Sequence, residues 1–210
     1  MQAGSRHQCI IYENSPADYL GHVASIAAEK LKQNHRCLYL NSPAMVAGMR
    51  SYLAAHGISV AEEIQKGSLL ISSDDSHLFE GRFHVGRMIR RLAEAVKTAL
   101  QDGYRGLWAT GDMSWEFGSE KNFDKLLEYE QCLERLFAEQ PALSGICQYH
   151  REALPAECVG HAIHIHPHVY INDTLLRVNS YYLGPELRPR THSAAKVAEM
   201  LSDLRRTVSA

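Results

Sequence analysis

The sequence predicts an α/β fold in which a mostly parallel sheet of five or more strands is covered by helices on both sides. Short apolar runs alternate with longer segments whose apolar residues repeat at helical spacing. Each short run is apolar almost throughout, as in a parallel sheet that is buried on both faces. Residues 163–172 and 174–179 are two further strand-like runs joined at Asn172-Asp173, so a C-terminal β-hairpin is expected.

Strands and helices alternate regularly before that hairpin. The predicted strands cover residues 8–12, 36–41, 68–72, 106–110 and 143–149, and the predicted helices cover residues 16–33, 42–56, 84–101 and 122–139. Ser15 is placed to cap the first helix, with Pro16 at its first position. Gly57 and the Asp102-Gly103 pair follow two of the helices, where glycine commonly ends a helix. Helices between successive strands predict that the strands run parallel.

The final helical segment, residues 191–210, carries apolar residues on one side. They are spaced four, three and four positions apart, as in a coiled-coil seam: Val197, Leu201, Leu204 and Val208. We expect this amphipathic helix to serve dimerisation or signalling, with packing against its own domain as the alternative. The expected organisation is one domain over residues 1–187 and a C-terminal helix over residues 188–210.

The composition excludes several classes of function. The chain has 210 residues, of which 45% are hydrophobic and 22% are charged, a balance typical of a globular protein. Its formal net charge of −2 argues against direct nucleic-acid binding, since proteins that neutralise phosphates are usually basic. We find neither an apolar run of membrane-spanning length nor a secretory signal. The five cysteines are scattered and odd in number, which predicts reduced thiols in a cytoplasmic protein.

The turn after the first strand excludes one chemistry that is common in α/β proteins. A phosphate-binding P-loop has the pattern GxxxxGK[ST], in which glycine amides wrap the phosphates. The chain has YENSPADYLGHV at this place, with no glycine before Gly21 and no lysine. Glu13 and Asp18 would also repel a polyphosphate. P-loop ATP hydrolysis is therefore not expected, and the absence of a GxGxxG turn argues against a dinucleotide-binding dehydrogenase.

Seven segments carry a resemblance to a known family. In chain order from His7 to Leu187, they are HQCIIYEN, RCLYLN, GLWATGDMSWEF, LLEYEQCLERLF, GICQYHREALP, HPHVYIND and VNSYYLGPEL. Together they resemble the MEDS-type sensory domain of methanogens and methylotrophs. The resemblance implies a three-layer fold related to RecA- and KaiC-like ATPases without the Walker A motif. It also implies sensing of a small organic molecule, often in a chain with a histidine kinase or DNA-binding output domain. His150 stands where the family usually has an acidic residue.

Polar and aromatic residues are concentrated at the carboxyl ends of the predicted strands, where parallel sheets bind ligands. We therefore expect a partly apolar pocket for a small organic ligand there. Its candidate residues are Tyr12, Glu13, Asn14, Asn41, Asp112, Met113, Trp115, Glu130, Gln148, Tyr149, His150 and His166. A surface position is favoured for Glu130, with a polar recognition cluster of Glu130, Gln148 and His150 as the alternative. No catalytic residue, metal or cofactor is expected.

The closely spaced histidines admit a second interpretation. In an extended strand, His164, His166 and His168 would lie on one face, which is a possible metal-ligand geometry. A structural His-Pro turn explains the same residues without a metal, and we favour it. A cysteine nucleophile is not expected either, because Cys147 and His150 would face opposite sides of a strand.

The leading interpretation is a non-catalytic module that binds a small organic molecule. It would signal through self-association, as a homodimer, or through a partner histidine kinase or transcriptional regulator. One alternative is a protein-binding scaffold whose degenerate nucleotide site is empty. A second alternative is a histidine-based metalloprotein or hydrolase. No membrane contact and no direct nucleic-acid contact are expected.

Overall fold

A computed structural model describes residues 6–206 of the chain except residues 16, 120, 173, 177, 178, 187 and 189, and for residues 174–176 it describes the backbone alone. The predictions made for Pro16, Asp173 and Val208 therefore lie outside the described residues.

The described residues contain one seven-stranded sheet, in the order β3-β2-β4-β5-β1-β6-β7. The strands are β1 (His7–Tyr12), β2 (Arg36–Leu40), β3 (Leu69–Ser72), β4 (Leu107–Asp112), β5 (Leu143–His150), β6 (His168–Ile171) and β7 (Thr174–Leu176). The first six strands pair in parallel, and β7 pairs antiparallel with β6. The predicted α/β class is confirmed, and each of the five strands predicted before the hairpin is present within two residues of its predicted bounds.

Helices cover both faces of this sheet. They are α1 (Ala17–Lys32), α2 (Pro43–Ala55), α3 (Val60–Gln65), α4 (Val85–Gln101), α5 (Met113–Glu116), α6 (Leu126–Glu139), α7 (Ala156–Ile165) and α8 (Ala194–Arg206). The first three pack on one face, here called the α1 face, and the other five on the opposite face, here called the α6 face. Within the described part of the chain, no helix is both long and apolar enough to cross a bilayer.

The alternation of side chains along the strands divides the core into two parts. On the interior strand β1, Cys9 and Ile11 point to the α6 face, whereas Ile10 and Tyr12 point to the α1 face. All four are at most 1% exposed. Burying a side chain such as isoleucine contributes about 1.5–3 kcal/mol, so this strand stabilises both helical layers.

One region differs clearly from the sequence prediction. Residues 163–172 were expected to form a single strand, but residues 163–165 form the last turn of α7, and β6 begins at His168. Every residue from Cys158 to Ile165 is buried. Residues 163–166 alternate isoleucine and histidine, and this period of two is typical of a strand although the run crosses the end of a helix. The short helices α3 and α5 were missed because they have too few turns to show a period.

Helix α8 packs its apolar side on the core of its own chain. Val197, Leu201 and Leu204 of the predicted seam are buried there, together with Met200. This is the alternative that the sequence left open. Self-association through this seam would require α8 to leave the core, and dimerisation itself stays a prediction.

Candidate functional site

Five buried side chains meet on the α1 face at the carboxyl edge of the sheet. We call them the edge cluster: Tyr12, Tyr19, Tyr39, Asp112 and Gln148. Four come from β1, β2, β4 and β5, which are near neighbours in the sheet, and Tyr19 comes from the first turn of α1. Aromatic rings thus fill the space beside the first strand-helix turn, in agreement with the missing P-loop.

Asp112 is the acidic member of the edge cluster. The Tyr12 hydroxyl donates to Asp112 Oδ2 at 2.5 Å, and the Ser114 amide donates to Asp112 Oδ1 at 2.8 Å. The Ser114 hydroxyl also donates to Oδ1. Asp112 is therefore the N-cap of α5, and both of its oxygens are occupied. Burial and the nearby carboxylate raise the pKa of Tyr12, so its hydroxyl stays a donor at neutral pH.

Gln148 is only partly satisfied in the same cluster. Its Nε2 donates to Thr110 Oγ1 at 2.8 Å, and the Thr110 hydroxyl donates to the Ile146 carbonyl at 2.6 Å. Gln148 Oε1 is buried and has no hydrogen-bond partner among the described residues. The His150 ring stacks on Tyr12, with ring centroids 4.8 Å apart and 9° between the planes. A donor from water or a ligand would satisfy the open Gln148 oxygen.

Glu13 and Asn14 follow β1 at the same edge but face away from the cluster. Glu13 is half-exposed and forms ion pairs with Arg151 and, at 3.2 Å, with Arg205 of α8. Asn14 is exposed and has a left-handed backbone with φ of 64°. Asparagine tolerates this conformation better than most residues, so Asn14 serves the turn.

Three other predicted residues also have structural contacts. Asn41 Nδ2 donates to the Tyr39 hydroxyl at 3.1 Å. The Trp115 ring is half-buried and lies 5.0 Å from the His77 ring. Met113 is buried on the α6 face, where it lines a cavity described below.

A second polar cluster lies on the α6 face. Its four members, here called the buried tetrad, are His7, Glu130, Cys147 and His166, and their ligand atoms all lie within 4.8 Å of one another. The Nε2 atoms of His7 and His166 are 3.1 Å apart, and they lie 3.3 and 3.4 Å from Glu130 Oε2. Cys147 Sγ is 3.5 Å from His7 Nε2 and 3.8 Å from Glu130 Oε2. No member is more than 7% exposed.

Hydrogen bonds hold the tetrad from outside. They join His7 Nδ1 to Glu134 Oε2 at 2.7 Å, His166 Nδ1 to the Ala162 carbonyl at 2.9 Å, and the Tyr149 hydroxyl to Glu130 Oε1. Phe137 stacks on the His7 ring at 4.4 Å. Burial and the Glu130 carboxylate raise the pKa of the Cys147 thiol, which therefore holds its proton when no cation is nearby.

The sheet separates the two clusters, and this overturns one prediction. A surface position was favoured for Glu130, but Glu130 is 1% exposed. The alternative cluster is also wrong, because Glu130 contacts Tyr149 and Cys147 on the α6 face, whereas Gln148 and His150 contact groups on the α1 face. Residues 147 and 149 alternate with 148 and 150 along β5, so the two pairs lie on opposite faces.

The expected histidine face is wrong as well. His164 lies in α7, and its Nδ1 is 2.6 Å from the Tyr181 carbonyl. His168 begins β6. Of the three histidines, His166 is the one that joins the tetrad.

A cavity of about 40 Å³ lies on the α6 face between the sheet and helices α4 and α6. Its lining is apolar except for Thr110, Glu116, Tyr129 and Cys147. Glu116 Oε2 is buried without a hydrogen-bond partner in the described residues. A Cβ at Gly111 would lie 1.9 Å from Glu116 Oε1, so a larger residue there would displace the Glu116 carboxyl group.

Glu116 is a neutral acid at neutral pH. Burial, together with the Glu130 and Asp112 carboxylates, raises the pKa of Glu116 to about 8. A protonated carboxyl group can donate one hydrogen bond. The cavity adjoins a second pocket along β2, β3 and α4, since both are lined by Leu38, Leu40, Met88 and Leu92. A mostly apolar cavity beside a protonated carboxyl group is suited to a small, weakly polar molecule.

Sequence reasoning missed the role of His7 and Glu134 and did not place Cys147 with them. Part of the signal was present, because Glu130 and Glu134 are four residues apart and so share one helix face. The spacing could not show that β1 lies between β5 and β6, which brings His7 to that helix face.

These features define a three-layer α/β domain without a phosphate-binding loop, in which polar groups are buried on both faces of the central strands. A family model described as "MEDS: MEthanogen/methylotroph, DcmR Sensory domain" matches residues 6–167. The match covers most of the chain, so the chain belongs to the MEDS family of sensory domains, as its segments predicted. No match was found among curated proteins. Family membership supports a sensory or signalling role.

Proposed function

We propose that the chain is a non-catalytic sensor that binds a small, neutral organic molecule in the cavity beside Glu116. The observation that carries the proposal is a buried carboxyl group whose free oxygen lies at the wall of an otherwise mostly apolar cavity. Buried polar groups almost always have a hydrogen-bond partner, so an unpartnered one at a cavity suggests a place for a ligand. The membership in a family of sensory domains supports the same role.

The cavity limits the size and chemistry of the ligand. A buried water needs about 10–15 Å³, so about 40 Å³ accepts a molecule of roughly three or four non-hydrogen atoms. The walls favour a hydrocarbon part, and protonated Glu116 favours one oxygen, nitrogen or halogen acceptor. Very small ligands gain at most about 1.5 kcal/mol per non-hydrogen atom, which limits Kd to about 0.05 mM or weaker.

The edge cluster is the other location that the predicted residues favour. Tyr12, Asp112 and Gln148 do meet there, but both oxygens of Asp112 already accept hydrogen bonds. Gln148 Oε1 is open as well, but the open oxygen of Glu116 belongs to a residue that lines a cavity. We therefore place the ligand on the α6 face.

The signal is proposed to leave through α8. This helix packs on α7 within the α6 face, and its Arg205 pairs with Glu13 at the carboxyl end of β1. A ligand that changes packing on the α6 face would change how α8 is held. That change would act on a homodimer or on a partner histidine kinase or transcriptional regulator.

Saturation-transfer NMR with acetone, ethanol, acetamide and halogenated methanes tests the binding site. We expect saturable binding of at least one compound to the wild-type protein. Ala109→Val adds two methyl groups at the cavity wall and should abolish it, because Ala109 lines the cavity. Ala47→Val on the exposed side of α2 is the matched control and should leave binding unchanged.

The role of Glu116 is tested through pH. Binding to the wild-type protein should weaken above pH 8, where the carboxyl group loses its proton. Glu116→Gln still donates a hydrogen bond and should bind without that pH dependence. Saturable binding that Ala109→Val leaves intact would contradict the proposed site, and no binding of any compound would favour the scaffold alternative.

A further inference from the structure

The buried tetrad has the dimensions of a tetrahedral metal site. With metal–nitrogen and metal–oxygen bonds of about 2.0–2.1 Å, neighbouring ligand atoms in a tetrahedron are about 3.3 Å apart, and a sulfur at about 2.3 Å lies about 3.6 Å from them. The observed nitrogen–nitrogen and nitrogen–oxygen distances are 3.1, 3.3 and 3.4 Å. The sulfur lies 3.5 Å from His7 Nε2 and 3.8 Å from Glu130 Oε2, and all four ligand atoms lie within 4.8 Å of one another.

The hydrogen bonds around the tetrad direct lone pairs toward its centre. His166 Nδ1 faces the Ala162 carbonyl, which can only accept, so Nδ1 carries the proton of the neutral ring and Nε2 carries the lone pair. His7 Nδ1 faces the Glu134 carboxylate, so in this ring too Nδ1 carries the proton and Nε2 carries the lone pair. Both Nε2 atoms and Glu130 Oε2 are then acceptors within 3.4 Å of one another. Such acceptors repel unless a cation or additional protons lie between them.

We propose that His7, Glu130, Cys147 and His166 bind one zinc ion. Two imidazoles, a carboxylate and a thiolate are a ligand set that suits zinc better than magnesium or calcium. The carboxylate and the thiolate match the two charges of the ion, so the buried site is neutral. On binding, the Cys147 sulfur forms the bond to zinc, and its proton is released to solvent.

The hydrogen bonds outside the tetrad agree with this assignment. Metal-bound histidines usually donate their second ring N–H to a carboxylate or a backbone carbonyl, which fixes the ring for binding. Both arrangements are present here, one on each histidine. The Tyr149 hydroxyl likewise holds the oxygen of Glu130 that points away from the centre.

The site is structural. Four protein ligands complete a tetrahedral shell and leave no position for substrate or water. The ligands come from β1, α6, β5 and the residue that follows α7. One zinc ion therefore ties two helices of the α6 face to two adjacent strands. Zinc bound only in the folded state adds its binding free energy to folding.

Metal analysis of the full chain, purified without a histidine tag or chelator, tests the proposal. We expect about one zinc per chain by mass spectrometry. Cobalt(II) added to the zinc-free protein should give tetrahedral visible bands and a near-ultraviolet thiolate-to-cobalt band. Cys147→Ser should remove the thiolate band. Cys132→Ser, half-buried on α6 outside the tetrad, is the matched control and should keep it.

Variants at two other positions separate the site from competing metal binding. Glu134→Gln leaves all four ligands in place and should weaken zinc binding about 10- to 100-fold. His192 lies 5.1 Å and 5.5 Å, between ring centroids, from His164 and His161, so these three histidines are a possible competing site. His192→Gln should leave zinc content and affinity unchanged.

Circular dichroism of every variant shows whether it is folded. The proposal is overturned if the folded wild-type protein contains no zinc and neither zinc nor cobalt binds to it in a saturable way. It is also overturned if His192→Gln abolishes the bound metal, or if the cobalt spectrum of folded Cys147→Ser equals that of the wild-type protein.

Discussion

The two faces of the sheet each bury a carboxylate beneath a tyrosine hydroxyl, but they satisfy the carboxylate in different ways. On the α1 face, Asp112 accepts from Tyr12 and from Ser114, two residues further along the chain. On the α6 face, Glu130 accepts from Tyr149 and otherwise faces imidazoles from distant parts of the chain. The first arrangement is a helix cap that needs nothing else. The second depends on side chains from four parts of the fold and on what lies between the Glu130 carboxylate and the two imidazoles.

Glu116 is a third case, and it clarifies the comparison. It is buried like the other two carboxyl groups, but one of its oxygens has no partner in the described residues. Such a group avoids the cost of a buried charge by keeping its proton. The three acids thus illustrate helix capping, contact with buried imidazoles and protonation as three ways to bury a carboxyl group.

The largest expected effect concerns the pH dependence of stability in Glu116→Gln. In the folded protein, Glu116 keeps its proton up to about pH 8, whereas the unfolded chain loses it near 4.5. The free energy of unfolding of the wild-type protein should therefore fall as pH rises from about 4.5 to 8. In Glu116→Gln, the fall in the free energy of unfolding between pH 5 and pH 9, measured by urea titration, should be smaller than in the wild-type protein. The difference should be on the order of 4 kcal/mol.

An exposed glutamate provides the control for this measurement. Glu139→Gln at the end of α6 should keep the pH dependence of the wild-type protein. Equal pH dependence in Glu116→Gln and the wild-type protein would mean that Glu116 is ionised in the folded state.

Tyr149→Phe should have the second largest effect. It removes the hydroxyl that donates to Glu130, and a hydrogen bond to a charged group contributes about 1.5–3 kcal/mol. We expect a loss of about 2–3 kcal/mol in the free energy of unfolding by urea titration. Tyr52→Phe, at a tyrosine that is 41% exposed, should change it by less than about 0.5 kcal/mol.

Tyr12→Phe is the matching change on the α1 face and should cost less. Asp112 keeps both hydrogen bonds from Ser114 after the substitution, so we expect a loss of about 1–2 kcal/mol. The same urea titration measures it. A loss as large as that of Tyr149→Phe would show that the two carboxylates are equally dependent on their tyrosines.

The sequence was sufficient to predict the sheet, because each parallel strand is a short apolar run between amphipathic helices. It also predicted correctly that Cys147 and His150 face opposite sides of β5, since alternation is local. Contacts across the sheet could not be predicted in the same way. The position of β1 between β5 and β6 is set by the order of strands, and no spacing in the chain encodes it. The end of helix α7 was misread because isoleucine and histidine alternate there with the period of a strand.

The position of β1 also has a consequence for the order of folding. Its histidine meets His166, which is 159 positions later in the chain, and β1 pairs on both sides with strands from the second half. Closing loops of this length costs chain entropy before the contacts are gained, so such pairings form slowly. We therefore expect β1 to join the sheet late, since both of its partner strands are made after it. If the tetrad binds zinc as proposed, the zinc signal in a refolding experiment should appear with this late step rather than with the first collapse.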